Sequence, residues 1–431
     1  MRTIWRLVVD QRDYRLLLSA GLVSQLGDYV LTVGLMYLIY DLTGSTLATA
    51  GALVVAVLPQ VLLASPAGVL VDRWDRRRIL TVAFLAHAAA LVPLLAVRGS
   101  GTLWLVYLVA AGQSLLELLS VPAERALVPL LVPDERLISA NAMNAQAAAV
   151  ARLVGAGAGG VVAAWGGLTA VTVLDAATFV VAAALVAAVR TPGRSALESA
   201  SDPPAAEQLA WWHEWRAGLR IAAGNRTLRI LIAFTGVTAV GEGVMGTLFA
   251  PFVLDVLHGG PQGYGLVVGV QAIGGIAGGL LVAAYGAHWR PARLFAWGAA
   301  AFGLIDLTLF LYPLAWAHLA PAVVLMVVVG VPGAAVVAGE TTLLQHATQD
   351  AHRGRVLGTV MAIQSAGVLL GAALGGTLPA LLGGSTGIVA VIAWQGVGYL
   401  VFGVLASTVL RPSVTTDQRQ EHGIGAVPVR P

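Results

Sequence analysis

The stretch GVLVDRWDRRRIL, residues 68–80, places two aspartates and four arginines between two apolar runs. The runs cover residues 47–70 and 79–97. A helix of about 20 residues is as long as the hydrocarbon core of a bilayer is thick, about 30 Å. The stretch therefore predicts a short charged loop between two membrane-spanning helices.

The composition of the chain is that of a membrane protein. Of its 431 residues, 58% are hydrophobic and 11% are charged, and the mean hydropathy is +0.83. A soluble domain would carry about 25% charged residues. An open β-sheet cannot cross lipid because its edges leave backbone groups unpaired, and the alternating strands of a barrel are not visible. We therefore predict an all-α integral membrane protein.

Missing residue types exclude several kinds of chemistry. The chain has no cysteine, which excludes disulfides, iron–sulfur clusters and thiolate metal sites, and no lysine, which excludes a P-loop ATPase. The eight histidines are scattered, and His346 and His352 do not share a helix face at the spacing of metal ligands. A channel would need filter-like loops or charge rings, which the sequence lacks. We expect no enzymatic activity, no metal or other cofactor, and neither ATP nor nucleic acid as a partner.

Twelve apolar segments are long enough to span a bilayer. They cover residues 16–40, 47–70, 79–97, 102–121, 137–163, 168–189, 228–254, 264–286, 292–313, 319–341, 356–382 and 386–410. A polar, Pro- and Ser-containing stretch separates the sixth segment from the seventh. We predict a six-helix bundle over residues 1–190, a cytoplasmic linker over 191–226, a second six-helix bundle over 227–410 and a disordered cytoplasmic tail over 411–431.

The second half of the linker predicts an amphipathic helix, because Trp211, Trp212 and Trp215 lie near helical spacing. Such a helix either lies in the membrane interface or packs on the cytoplasmic ends of the bundles. The sequence leaves both alternatives open.

The arginines orient the chain in the membrane. All 25 basic residues are arginine, and all but Arg98 and Arg152 fall in segments on the same side as the N-terminus. Cytoplasmic segments of membrane proteins are enriched in basic residues. We predict a multi-pass protein of the bacterial inner (plasma) membrane, with an uncleaved first helix and both termini in the cytoplasm.

The two halves of the chain repeat each other. A shift of 214 residues lays Asp28 on Glu242, and a shift of 216 lays Glu124 on Glu340. The second shift also lays LVGAGAGG, residues 153–160, over LLGAALGG, residues 369–376. Parallel repeats of this kind build two-lobed secondary transporters with a binding site between the lobes.

The charged loop resembles a signature of the major facilitator superfamily, roughly Gly-x-Leu-x-Asp-Arg-x-Gly-Arg-Arg. The matching residues are Gly68, Leu70, Asp72, Arg73, Arg76 and Arg77. Asp75 stands where glycine is usual. The stretches 121–143 and 350–360 resemble the branch that contains bacterial drug, macrolide and siderophore exporters.

This resemblance implies a function as well as a fold. We expect a monomer of two pseudo-symmetric six-helix bundles that moves amphipathic small molecules outward by alternating access. The proton gradient would be its energy source, and protons and lipid its other partners. The alternative is an importer or facilitator of a small metabolite with the same fold.

The resemblance also implies a cytoplasmic gate. We expect Asp72, Arg76 and Glu124 to form a latch between helices that breaks when the lobes rock, with Asp72 also able to cap a helix N-terminus. The other expected gate residues are Gly68, Arg73, Arg77, Arg125, Glu340, Arg353 and Arg355. The alternative is that the charged loop only sets topology.

Asp28 and Glu242 lie in the middle of the first and seventh spans, where ionisable groups are costly and raise a functional hypothesis. In this superfamily those spans line the central cavity. A carboxylate withdrawn from water holds a proton more tightly. We therefore expect the two acids to face each other and to act in proton coupling or cation recognition; the alternative is a structural hydrogen bond for each.

Three other ionisable groups within the spans have less definite roles. Glu117 either faces the cavity, where it would join the coupling or substrate site, or pairs with Arg125. Arg152 could neutralise one of the acids, but the sequence does not identify its partner. For Asp175, which lies outside the spans that line the cavity, we favour a structural role.

Glycines recur four residues apart in several spans, a pattern that lets helices approach closely. The residues concerned are Gly155, Gly159, Gly274, Gly278, Gly371 and Gly375. They either pack helices within a bundle or form smooth surfaces between the two bundles.

Overall fold

The computed structural model describes residues 10–133, 136–193, 220–221, 223–348 and 353–410. Within these ranges the side chains of residues 64–73, 138, 287 and 353–355 are not described. Nearly all of the described residues are helical, and none of them forms a strand. The amphipathic helix predicted around Trp211 and the tail over 411–431 lie outside the described residues.

Five long helical segments form the described part of the first half of the chain. They are α1 (Arg12–Thr43), α2 (Thr46–Arg73), α3 (Arg76–Leu91), α4 (Trp104–Leu131) and a long segment, Leu137–Ala187. The charged loop between α2 and α3 is therefore only two residues long, and Asp72 and Arg73 belong to the last turn of α2.

Gly167 divides the long segment into α5, residues 137–166, and α6, residues 168–187. Its φ of 59° and ψ of −157° are not helical, and glycine adopts a positive φ without the clash of a Cβ atom. The apolar part, Ser139–Ala187, has 49 residues, more than twice the length that one membrane crossing needs. Counted as α5 and α6, this segment brings the 11 long apolar helices of the described residues to the predicted twelve.

Six long helices form the second half of the chain over the residues that the structure describes. They are α7 (Arg226–Pro251), α8 (Gly260–Tyr285), α9 (Pro291–Leu311), α10 (Leu319–Ala347), α11 (Arg353–Leu382) and α12 (Gly384–Val409). Each overlaps one of the predicted apolar segments.

Polar side chains cap several helix starts, because the first N–H groups of a helix have no partner within it. Ser45 Oγ accepts from Ala48 N at 3.4 Å, and Asp75 Oδ1 accepts from Arg78 N at 2.9 Å. The expectation that Asp72 caps a helix is thus wrong. The helix begins three residues later than that expectation requires, so Asp75 is its N-cap.

The helices form two lobes with separate cores. One buried apolar cluster runs from Tyr14 to Val189 and draws only on α1–α6 and the turns beside them. A second, around Phe234 and Phe295, draws only on the second half of the chain. A third cluster is centred on Phe252 and Phe310 of the second half and includes Val33 and Ala156 of the first. The third cluster therefore lies where the two lobes meet.

The lobes contact each other mainly through α5 against α8 and α2 against α11. The helices alternate in direction, so the ends of all helices lie on two sides of the molecule. One side contains the start of α1, and the opposite side contains the turn at Gly167. We call these the termini end and the far end. The described contacts between α2 and α11 include far-end residues of both helices, since Gly376 lies against Leu47 and Ala50.

Candidate functional site

A cavity of about 640 Å³ lies between the lobes at mid-depth. Cavities that bind drug-sized molecules have volumes of about 300–1,000 Å³. Its lining from the first lobe comprises Tyr29, Ala148, Ala149 and Arg152, and its lining from the second lobe includes Glu242, Met245, Gln271, Phe302, Gln395 and Tyr399. The wall is thus mainly apolar and aromatic and contains one acid and one base.

Glu242 is exposed in this cavity because its neighbours fix the rotation of α7. A Cβ atom on Gly241 would lie 3.0 Å from Gln395 Cβ of α12, and one on Gly243 would lie 2.8 Å from Ala372 N of α11. The two glycines therefore hold α7 against two helices of its own lobe. The side chain between them extends into the cavity, with Gln364 of α11 beside it.

Asp28, the repeat equivalent of Glu242, is not among the residues that line this cavity. Its neighbour Gly27 packs directly against Asp175 and Thr178 of α6. Asp28 is partly buried inside the first lobe, within electrostatic range of Asp175, Glu117 and Glu124. The expectation that Asp28 and Glu242 face each other is therefore wrong, because the close packing of α1 on α6 turns Asp28 into its own lobe.

Glu117 matches neither of the alternatives that the sequence suggested. Its Oε2 accepts a hydrogen bond from Gln60 Nε2 at 2.8 Å, which ties α4 to α2. It is not among the residues that line the cavity. Arg125, the other expected partner, is exposed to the surroundings of the bundle.

Arg152 has a partner on the other lobe, which the sequence did not identify. Its guanidinium donates a hydrogen bond to Gln271 Oε1 of α8, and both side chains line the cavity. Gln271 was missed because a single glutamine in an apolar span gives no signal of its own. Arg152 did give one, as one of only two arginines outside the predicted cytoplasmic segments.

Two buried acids make hydrogen bonds within their own lobes. Asp306 Oδ2 accepts from Gln395 Nε2 at 3.0 Å, which ties α9 to α12. Asp175 accepts from Thr178 Oγ1 at 3.2 Å within α6. Neither acid is among the residues that line the cavity, so both contribute to the interior of a lobe.

The charged loop joins α3 to the end of α6. Asp75 Oδ2 accepts from Gly193 N at 3.2 Å, and Arg76 N donates to Gly193 O at 3.2 Å. The Arg77 guanidinium donates to Ala187 O at 2.6 Å, at the C-terminus of α6, where a cation is favourable. All of these contacts lie within the first lobe at the termini end.

The other expected gate residues are distributed over both lobes. Glu124 Oε1 lies so close to α1 that a Cβ atom on Gly21 would be 2.6 Å from it. Glu340 Oε1 accepts from Thr235 Oγ1 at 3.0 Å, which ties α10 to α7. The structure does not describe the side chains of Asp72, Arg73, Arg353 and Arg355, or the packing around Gly68. The predicted latch between helices, formed by Asp72, Arg76 and Glu124, therefore stays a prediction.

Hydrogen bonds join the lobes at the far end. Tyr40 of α1 donates to the Asp255 carboxylate just after α7. Thr49 Oγ1 of α2 donates to Thr247 O at 3.0 Å, and Thr46 Oγ1 donates to Gly376 O at 2.9 Å. Thr49 and Thr247 are fully buried. The two lobes are thus closed against each other on this side of the cavity.

Backbone contacts between α5 and α8 strengthen the same closure. A Cβ atom on Gly160 would lie 2.5 Å from Pro261 O, and one on Gly265 would lie 2.6 Å from Ala156 O. Further toward the termini end, Cβ atoms on Gly275 and Gly279 would meet nothing within 4 Å. The two helices therefore touch at the far end and diverge toward the termini end.

The six glycines singled out in the sequence pack helices within a lobe. Gly155 and Gly159 contact α1 at Leu26 and Val30, Gly274 and Gly278 contact α10 at Val327 and Val331, and Gly371 and Gly375 contact α7 at Val240 and Thr247. The alternative that they lie between the lobes is wrong. The glycines next to them in sequence, Gly160 and Gly376, lie between the lobes instead, because residues one position apart on a helix face different helices.

The sequence matches the family described as transmembrane secretion effector over residues 8–423. It is 25% identical to Macrolide efflux protein A of Streptococcus pyogenes over 270 residues, which are 62% of this chain and 65% of that protein. It is 34% identical to an uncharacterized MFS-type transporter of Mycobacterium tuberculosis over 159 residues, 36% of each chain. The matched part is thus less than two thirds of either relative.

Solved structures share the fold. A bacterial homologue of the iron transporter ferroportin, in an inward-facing state, gives a TM-score of 0.72 at 15% identity and covers 93% of this chain and 99% of that one. The nucleoside transporter NupG gives 0.74 at 11% identity and covers 93% and 100%. At these identities the likeness concerns the fold and not the substrate.

Proposed function

Because this chain belongs to the transmembrane secretion effector family of major facilitator superfamily transporters, we propose that it is a proton-coupled exporter of amphipathic small molecules. The exposed carboxylate of Glu242 in a mainly apolar cavity between the lobes is the observation that carries this proposal. An apolar wall favours an apolar body, and a lone carboxylate favours a cationic group on it. The efflux proteins among the relatives support the direction of transport.

The arrangement of the lobes supports a state that is open to the cytoplasm. The described arginines concentrate at the termini end, where Arg12, Arg77 and Arg226 lie, and the positive-inside rule assigns that end to the cytoplasm. The lobes are closed at the far end by the Tyr40–Asp255 and Thr49–Thr247 contacts. A cationic molecule would therefore enter from the cytoplasm or the inner leaflet and meet Glu242.

Proton coupling follows from competition for one carboxylate. The deprotonated form of Glu242 binds the cation, and a proton that arrives from outside displaces it once the lobes have rocked. Because one proton moves inward for each monovalent cation that moves outward, no net charge crosses the membrane, and the pH gradient drives the exchange by about 1.4 kcal/mol per tenfold difference in proton concentration. We assign this role to Glu242 alone, because Asp28 lies inside the first lobe.

Uptake by inverted membrane vesicles tests the proposal. With an imposed pH gradient, vesicles that contain the protein should accumulate a labelled macrolide, and the Glu242→Gln variant should lose that gradient-driven accumulation. Asp10→Asn is the control, because Asp10 pairs with Arg136 at 3.7 Å at the termini end, away from the cavity. Gradient-independent accumulation that survives Glu242→Gln would contradict the coupling, and movement in the opposite direction would identify an importer.

A further inference from the structure

The hydrogen bond between Arg152 and Gln271 joins the two lobes inside the wall of the cavity. Arg152 belongs to α5 of the first lobe, and Gln271 belongs to α8 of the second. The other cross-lobe hydrogen bonds described above lie at the far end. This pair is therefore placed where a bound molecule can reach it.

The pair also lies at the edge of the contact between α5 and α8. Two residues before Gln271, on the far-end side, the helices touch, since a Cβ atom on Gly269 would lie 3.0 Å from Leu153 O. One turn away on the other side, a Cβ atom on Gly275 would meet nothing within 4 Å. Arg152 and Gln271 thus hold the two helices together at the point where they begin to diverge.

The chemistry of the guanidinium leaves donors available to a ligand. Arginine presents five N–H donors in a planar fork, and the exposed Arg152 side chain uses one nitrogen for Gln271. The acceptors that fit this fork are carbonyl, lactone, hydroxyl and carboxylate oxygens. Glu242, on the opposite lobe, offers the complementary site for a cation.

We propose that Arg152 is a substrate-binding residue, and that the substrate exchanges the Gln271 contact for a contact of its own acceptor oxygen. This inference rests on the proposed transport function and specifies its substrate class. The substrate carries a protonated amine for Glu242 and an oxygen acceptor for Arg152 on one amphipathic body. Because Gln271 belongs to the other lobe, filling the cavity removes a contact that holds the lobes together beside it.

Two ligands test the contact with Glu242 and the contact with Arg152 separately. The first is a macrolide with an amino sugar and lactone and hydroxyl oxygens; the second is tetraphenylphosphonium, a lipophilic cation without acceptor oxygens. Binding is measured on the purified full-length protein in lipid nanodiscs. Arg152→Gln should weaken macrolide binding about tenfold, as expected for a lost hydrogen bond to a charged group, and leave tetraphenylphosphonium binding unchanged. Glu242→Gln should weaken the binding of both.

Variants of Gln271 distinguish a ligand contact from a purely structural link. Gln271→Ala breaks the link but leaves Arg152 free, so macrolide binding should stay at or above the wild-type level. Gln271→Glu holds Arg152 in an ion pair and should weaken macrolide binding. If Gln271→Ala instead loses affinity as Arg152→Gln does, the arginine only joins the lobes and the inference is overturned.

Controls separate this inference from the proposed function. Arg98→Gln removes an exposed arginine at the far end, outside the cavity, and should change neither ligand's binding. Binding of tetraphenylphosphonium alone by the wild-type protein would overturn the proposed substrate class but not cation export. Binding of neither ligand would contradict the proposed function, and the inference would fall with it.

Discussion

Tyr40 donates a hydrogen bond to the Asp255 carboxylate, which joins the end of α1 to the end of α7 across the two lobes. Tyr40 is 8% exposed, whereas Asp255 is exposed at the far end. Any movement that opens the cavity toward the far end must break this bond. It is therefore the clearest candidate for an external gate in the described part of the chain.

Tyr40→Phe should shift the protein toward states that are open at the far end. The variant removes a hydrogen bond to a charged group, worth about 1.5–3 kcal/mol, which corresponds to a tenfold change or more in the equilibrium. The chain has no cysteine, so a single cysteine in place of Leu53, a larger side chain that lies against Gly246 of α7, reports solvent access without background labelling and adds no bulk at the contact. Labelling should be faster in the Tyr40→Phe background.

Tyr37→Phe is the matched control for this prediction. Tyr37 donates to Asp41 Oδ1 at 3.3 Å within α1, so its hydrogen bond does not cross between the lobes. Labelling as fast in Tyr37→Phe as in Tyr40→Phe would show that the cross-lobe bond does not hold the gate.

Gly265→Ala should prevent full closure of the far end. The added Cβ atom would lie 2.6 Å from Ala156 O and 2.8 Å from the Gly160 backbone, and neither backbone can move without displacing α5. We expect transport to fall at least about tenfold, the cost of a strain of about 1.4 kcal/mol, while the protein still folds. Gly279→Ala, where the added atom meets nothing within 4 Å, should transport normally. Equal losses in both variants would contradict this account.

Asp75→Ala should destabilise the first lobe. The variant removes the N-cap of α3 and the acceptor for Gly193 N, and loss of a cap alone costs about 0.5–2 kcal/mol. The expected result is a lower midpoint of thermal unfolding in detergent. Arg78→Ala, which removes an exposed side chain of the same turn, is the control and should leave the midpoint nearly unchanged.

Asp306→Ala should lower stability and leave the pH dependence of transport intact. It leaves the Gln395 amide without its partner inside the second lobe, which costs about 1–3 kcal/mol. Transport per folded molecule should keep the wild-type dependence on the pH gradient, in contrast to Glu242→Gln. A change in that dependence would assign Asp306 to the coupling pathway.

Hydropathy was sufficient to predict the twelve helices, because the bilayer fixes their length and apolar character. The break at Gly167 was anticipated as a gap between two apolar segments, and the structure supplies its backbone geometry. Helix packing was harder to predict. The depth of Asp28 and Glu242 in the membrane follows from their positions in sequence, but their rotation about the helix axis depends on which glycines meet which neighbours.

Contacts between the lobes could not be predicted from the sequence. The shift of 214 residues that lays Asp28 on Glu242 also lays Asp41 on Asp255, yet the residue that contacts Asp255 is Tyr40. The partner of Arg152 is a glutamine that no charge pattern identifies. Both contacts depend on how two folded lobes dock, and periodicity within one helix carries no information about that.

The glycines on either side of Glu242 have one more consequence. They fix α7 against two helices of its own lobe, so the carboxylate moves together with that lobe. The residues that line the cavity from the second lobe therefore form a rigid half-site, which offers the substrate the same contacts before and after the lobes rock. Any difference in affinity between the two sides of the membrane that protonation of Glu242 does not supply must then arise in the opposite half-site, which Tyr29 and Arg152 provide.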